Sequence, residues 1–251
     1  MNVLVCVKRV PLTGGKIVLT DDERAISTRH LGFTISPHEE CAAEEAVRLI
    51  ETHGGSCTVL TLGPREAEEQ LRDVMALGVE RAIHLVTGGE EWDPQATAAA
   101  IVAAIESQSD PYDLLLFGNE SADAGNYQVA IRVAHALGLP CVTGVKALSM
   151  HTGTLHCEQE VAGGRDVYEL PLPAVVTVKE GLNLPRYPSV PGRLRAKRKP
   201  VDAHTPQRLQ SRLEMVRLKL PQDVGKQVQI LGNGPDAAPA VVALLQELGV
   251  M

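Results

Sequence analysis

Aromatic side chains are scarce in this sequence, 3% Phe, Trp and Tyr combined, which leaves little material for stacking bases along a groove. Positive charge is also short. With 24 Lys and Arg against 31 Asp and Glu, the net charge of −7 repels a phosphate backbone, and the two shortages together exclude general nucleic-acid binding. No stretch reaches about 18 consecutive apolar residues, so no membrane-spanning helix is expected. The start, MNVLVCVKRVP, enters a strand at once and lacks the long apolar core of a signal peptide. The five cysteines, Cys6, Cys41, Cys57, Cys141 and Cys157, are odd in number and widely spaced, and read as reduced core residues rather than a disulfide framework. His151, His156 and Cys157 are close together, but no second Cys/His cluster has zinc-ligand spacing, so a metal site is not expected. A reducing cytoplasm fits these absences. The hydrolase, P-loop and metalloprotease signatures are missing, and the late GNGPDA at residue 232 follows no buried strand, so it is no dinucleotide fingerprint.

What is present is an ordinary globular composition, 44% hydrophobic and 22% charged, in a chain of 251 residues. That length buries a substantial core as one α/β domain, with or without a subsidiary lobe. Continuous apolar runs at residues 3–7, 57–63, 82–86 and 113–118 have the pattern of strands buried on both faces. Helical patterns alternate with them. Ser36 and Pro37 open a helix whose stripe is Cys41, Ala42, Ala46, Leu49 and Ile50. Ala67, Leu71, Val74 and Leu77 form a second stripe that stops at Gly78, and Asp93 with Pro94 opens a third helix. Strand and helix in strict alternation predict a doubly wound, mainly parallel, Rossmann-like sheet. Ligands of that fold bind at the carboxyl ends of the strands where strand order reverses. The first and fourth strands, ending in VKRVP and FGNES, are expected to flank that crevice.

After Leu139 the pattern changes. VTGVKALSM, GTLHCEQEV and RDVYELPLP alternate between turn residues, which predicts antiparallel strands added to one side, and residues 174–180 form one more buried strand. Five prolines between residues 185 and 206 forbid a continuous helix or central strand, so an extended arm is expected there. Its cluster RLRAKRK reads first as a solvated face and second as a partner contact. A last helix, started by Asp236, carries a large apolar face that needs a surface to cover. The expected division is an α/β domain at residues 1–180 and a proline-rich arm with a C-terminal segment at 181–251.

The loop GNESADAGNYQV, residues 118–129, leaves a buried strand and enters a helix, the place where unpaired amides gather. An ordinary capped βα turn is the bland reading. The functional one is a nucleotide cradle. Gly118 and Gly125 permit close backbone approach, Ser121 and Asn126 donate from side chains, and the amides from Ala122 to Gln128 can hold a phosphate. Glu120 and Asp123 would repel a phosphate if they pointed inward, so Asp123 is better placed as a helix cap or ribose partner. The loop holds no lysine or histidine, which speaks against phosphoryl or nucleotidyl transfer.

Several segments together resemble one family, the beta (small) subunit of electron-transfer flavoprotein. They are VLVCVKRVP, SPHEECAAEEAVRLIE, TLGPREAEEQLRDVMALGVERAIHL, LLLFGNESADAGNYQVAIRVAHALGLPCVTGV and LPLPAVVTVKEGLNLPRYPSVPGRLRAKRKP, in the family's order over the first 200 residues or so. The resemblance implies an adenine-nucleotide-binding subunit of a heterodimer. In that heterodimer the larger alpha subunit carries FAD, which takes electrons from acyl-CoA or other dehydrogenases to a quinone oxidoreductase. AMP in this subunit is structural, and in electron-bifurcating relatives a second FAD takes its place. The nucleotide site then falls at Cys6, Ser36, Leu62, Gly118, Asn119, Glu120, Ser121, Ala122, Asp123, Gly125, Asn126, Gln128 and Val129. The resemblance also implies a dehydrogenase-docking loop at Tyr187, Val190 and Leu194, with Val190 as anchor. Thr13, His38 and Glu160 match positions near the partner's flavin.

The chain departs from the family in places. Where many AMP-binding members have acids followed by N-Q-T, it has DAGNYQV, in which only Asp123 and Gln128 agree; Ser36 replaces a common asparagine; Thr13 and His38 replace aromatics found in some members. A stand-alone adenine-nucleotide enzyme and a pure interaction module with an empty crevice stay as rivals of another class.

Overall fold

A computed structural model of the chain describes all residues except 13, 16, 222–228 and 251. In chain order its elements are β1 (Asn2–Cys6), the short β2 (Val10–Pro11) and β3 (Phe33–Thr34), α1 (Pro37–His53), β4 (Ser56–Gly63), α2 (Glu68–Ala76) and β5 (Arg81–Val86). There follow α3 (Pro94–Glu106), β6 (Leu114–Gly118), α4 (Val129–Leu137), β7 (Cys141–His151), β8 (Thr154–Val161), β9 (Gly164–Pro171) and β10 (Ala174–Val178). The chain ends with α5 (Val190–Ala196), β11 (Val201–His204) and α6 (Ala238–Glu247).

One nine-stranded sheet has the order β11-β5-β4-β1-β6-β10-β7-β8-β9. From β11 to β7 all neighbours run parallel, and β8 and β9 close the far edge as an antiparallel hairpin. The chain winds outward from β1 to β4 and β5, then returns to place β6 on β1's other side, so strand order reverses between β1 and β6. Both faces are covered, as the unbroken apolar runs require. Val3, Val5, Val59, Leu114, Leu116 and Val176 pack with α1 and α2, while Leu4, Cys6, Leu60, Leu115, Phe117 and Val175 pack with α3 and α4.

Three expectations need correction. VTGVKALSM is antiparallel only to β8; on its other side β7 runs parallel to β10, so it is the last strand of the parallel set. The proline-rich arm is not wholly extended. Ser189 caps α5, and Pro191 falls in its first turn, where a missing N–H costs no hydrogen bond. Beyond it β11 adds to the sheet edge on β5. Asp236 does not start the last helix: it lies in a 3₁₀ turn over Pro235–Ala237, and α6 follows with Ala237 at its cap and no side-chain hydrogen bond there.

Candidate functional site: the crevice between β1 and β6

β1 and β6 pair in register up to Cys6 and Phe117, and β4 flanks β1 on its other side with Leu60 opposite Cys6. Cys6, Leu62 and Gly118 therefore lie at three neighbouring carboxyl ends. Cys6 is buried, and burial followed by the nearby Glu39 carboxylate drives its thiol pKa far up, so it is a packing group.

The amino end of α1 closes one side. Ser36 accepts from the Glu39 amide at 3.4 Å, and Glu39 Oε2 accepts from the Ser36 amide at 2.9 Å, a reciprocal capping box. The spacing Ser36-Pro37-His38-Glu39 carries that signal in the sequence, of which the expected helix start used only Ser36 and Pro37. The other oxygen of Glu39, Oε1, accepts from the Lys8 amide at 2.9 Å. One buried carboxyl thus ties the end of β1 to the start of α1. Burial pushes it up to about 8, against the hydrogen bonds from Ser36 and Lys8 that pull it down. Gly118 packs directly on this group: a Cβ there would lie 2.6 Å from Glu39 Cγ.

The loop after β6 is tied down along its first half. The Asn119 amide donates to Val178 O at 2.9 Å, and its side-chain oxygen accepts from Thr177 Oγ1 at 2.8 Å, which itself accepts from the Gly144 amide at 2.8 Å. Ser36 Oγ donates to Glu120 O at 3.3 Å. The two loop acids turn toward basic side chains. Glu120 lies 3.5 Å from His38 Nε2, and Asp123 lies 2.9 Å from Lys8 Nζ, which also reaches Glu91 at 2.8 Å. Burial raises the Asp123 carboxyl, but Lys8 outweighs this and holds it below its ordinary value. The absence of a lysine within GNESADAGNYQV is made up by Lys8 from elsewhere in the chain, while His38 meets Glu120 through Nε2. Asp123 is not a helix cap: it bonds Lys8 and the Ala124 amide, and Gln128 occupies the cap of α4 without a side-chain bond to it.

Gly125 at φ +54° and Tyr127 at φ +56° turn the chain left-handed just before α4. Among the described residues, the amides of Ser121, Ala122, Asp123, Asn126, Tyr127 and Gln128 have no hydrogen-bond partner. Unpaired N–H groups on a loop with left-handed turns, at the start of a nine-residue helix, are a donor set suited to an anion. Ala122 and Asn126 are exposed, whereas Gln128 binds Arg132 and Val129 opens the helix.

His38 also accepts at Nδ1 from the Glu180 amide at 3.2 Å. Glu160 lies on β8, paired with Lys146 at 2.9 Å, and Lys146 holds its carboxyl below the ordinary range. Thr13 lies outside the described residues. Tyr187, Val190 and Leu194 stand away from the crevice and are 97%, 72% and 60% exposed. Sequence reasoning missed Lys8 and Glu39 as parts of this site. The VKRVP and S-x-x-E patterns contain them, but their partners, 115 and 31 positions away for Asp123 and the Lys8 amide, appear only in the fold.

Comparison with known proteins shows the family. The electron transfer flavoprotein domain family matches residues 25–209. The chain is 36% identical over 202 residues to electron transfer flavoprotein subunit beta of Bacillus subtilis, covering 80% of this chain and 78% of that one. It is 36% identical over 222 residues to the subunit of the same name in Syntrophomonas wolfei, covering 88% and 86%. With the mitochondrial subunit beta of Oryza sativa it shares 32% over 212 residues, 83% of each chain. The chain belongs to the electron transfer flavoprotein beta-subunit family.

Proposed function

We propose that this chain is the small subunit of a heterodimer whose alpha subunit holds FAD, and that the crevice between β1 and β6 holds one nucleotide, AMP. The observation that carries this reading is the set of unpartnered loop amides at the strand-order reversal, walled by Cys6 and Leu62 on the strands and Ser36 on α1. In this reading the unpaired amides of Ala122, Asp123, Asn126, Tyr127 and Gln128 hold the phosphate, and the side chains of Asp123 and Asn126 lie near the sugar. Gly118, Asn119, Glu120, Ser121, Gly125 and Val129 shape the wall. AMP brings no redox chemistry; it fills the crevice and fixes the loop. Lys8 engages Asp123 and His38 engages Glu120, so that neither loop acid is left unpartnered beside a phosphate.

FAD in the alpha subunit supplies the electron-accepting chemistry when bound. This chain then contributes docking and placement. Residues 1–180 carry the nucleotide and 181–251 the docking arm and subunit contact. Tyr187, Val190 and Leu194, apolar yet exposed, receive an acyl-CoA or other dehydrogenase, with Val190 as the anchor. His38 and Glu160 face the partner's flavin. The proposal includes a quinone oxidoreductase as acceptor and a cytoplasmic location; among the described residues no helix is long and apolar enough to cross a membrane.

A second reading, FAD in place of AMP, is favoured by one observation: DAGNYQV departs from the acids and N-Q-T of AMP-binding members. The test of the main reading is anaerobic reduction of the co-expressed heterodimer by an acyl-CoA dehydrogenase and its substrate. Flavin bleaching that requires both subunits supports it, and bleaching of the alpha subunit alone at the same rate rules out a role for this chain.

A further inference from the structure

The outer face of α1 holds a charged cluster that the crevice does not use. Glu44, Glu45, Arg48 and Glu51 recur at helical spacing on that face. Glu44 is only 2% exposed at its side chain, and a buried carboxylate without partners is strongly destabilising. Its main partner is Arg186, at the root of the docking arm. Arg186 donates to Glu44 from its backbone amide at 3.2 Å, from Nε at 2.9 Å and from Nη2 at 3.1 Å. The same guanidinium reaches both oxygens of Glu51, at 2.7 and 2.9 Å.

Neighbouring contacts complete the attachment. Arg48 binds Glu44 at 2.7 Å and donates to Leu184 O at 3.3 Å, and the Asn183 side chain donates to Cys41 O at 3.0 Å and to Glu45 at 2.9 Å. Burial raises the Glu44 carboxyl, but the hydrogen bonds from Arg186 and Arg48 outweigh it and hold the group below its ordinary value. Residues 183, 184 and 186 are thus fixed to a 17-residue helix, while Leu184 and Tyr187, 84% and 97% exposed, project outward beside Val190 and Leu194.

We infer that Arg186 is the positioning residue of the docking surface: clamped between Glu44 and Glu51, it presets the path of the arm and so the apolar ridge of Leu184, Tyr187, Val190 and Leu194. This rests on the docking reading above. Ordering a ridge before encounter lowers the entropy lost on association. The task needs arginine, whose planar fork spans two carboxylates; a lysine supplies one point charge.

The test uses the complete FAD-bearing heterodimer as electron acceptor for a purified acyl-CoA dehydrogenase, with variants Arg186→Gln, Arg186→Lys, Glu51→Gln and Val190→Ala. Amide exchange of residues 184–194 is followed alongside. Arg186→Gln is expected to raise KM for the heterodimer about tenfold, with kcat and flavin content unchanged and exchange of the arm accelerated. Arg186→Lys recovers part of that. Val190→Ala raises KM with exchange unchanged. If Val190→Ala raises KM and Arg186→Gln does not, the ridge docks without the clamp and the inference is overturned. If neither moves KM, the docking reading itself fails, and the inference falls with it. Should Arg186→Gln not fold, Glu51→Gln decides: its carboxylate is 57% exposed, so its loss leaves the core intact, and an unchanged KM and exchange rate overturn the clamp.

Discussion

Two residues at the crevice make opposite demands on the space between β6 and α1. Gly118 must be small because Glu39 Cγ occupies the volume a Cβ would take. Replacing Gly118 by Ala forces the helix start and the loop apart, so a loss of about 1–3 kcal/mol in denaturant unfolding is expected, with less nucleotide retained. Unchanged stability would show that the two elements yield freely. Glu39 must be buried because it bridges Ser36 and Lys8, and burial raises its pKa to about 8. The folded chain therefore keeps a proton that the unfolded chain releases near its ordinary carboxylate pKa of about 4.3. The resulting stability is full below that value and is lost as pH rises toward 8. Glu39→Gln keeps a neutral group at every pH, so the melting temperature of the parent relative to the variant should fall between pH 5 and 8.5. A constant difference would mean that Glu39 is ionised throughout. Ser36 was legible as a cap because its signal is local. Lys8 was not, because a surface lysine and a loop aspartate distant in sequence carry no mark of one another.

At the scale of elements, the strands buried on both faces were the most legible, since a short uninterrupted apolar run bounded by turn residues must be covered from both sides. The direction of β7 was not. Alternation reports which face is buried and says nothing of the neighbour's polarity, so a strand parallel to β10 and antiparallel to β8 reads like any hairpin member. The helix within the arm was hidden by its prolines, one of which occupies a first-turn position that tolerates it. α6 stands apart from the other helices: its apolar side chains Val241 and Val242 are 41% exposed and no residue of the helix is buried. A helix short of internal contacts gains its order elsewhere. Amide exchange of residues 238–247 should slow markedly when the alpha subunit is added to the isolated chain. Equal exchange in both states would remove this helix from the subunit contact.

At the scale of the described molecule, one helix, α1, holds two regions of the chain. The amino end of α1 enters the crevice through Ser36 and Glu39, and its later turns hold the proline-rich arm through Glu44 and Glu51. Strand–helix alternation put the strand-order reversal between the first and fourth major strands, where the sheet order has it. The ligand's identity was less legible, since backbone amides leave little trace in side-chain identity. On the proposed function this chain holds its own nucleotide. The most direct measurement is to denature the co-purified heterodimer and quantify the released nucleotides by chromatography and mass spectrometry. One AMP and one FAD per heterodimer is the predicted result; FAD alone at one per heterodimer, with no second adenine nucleotide, would contradict it.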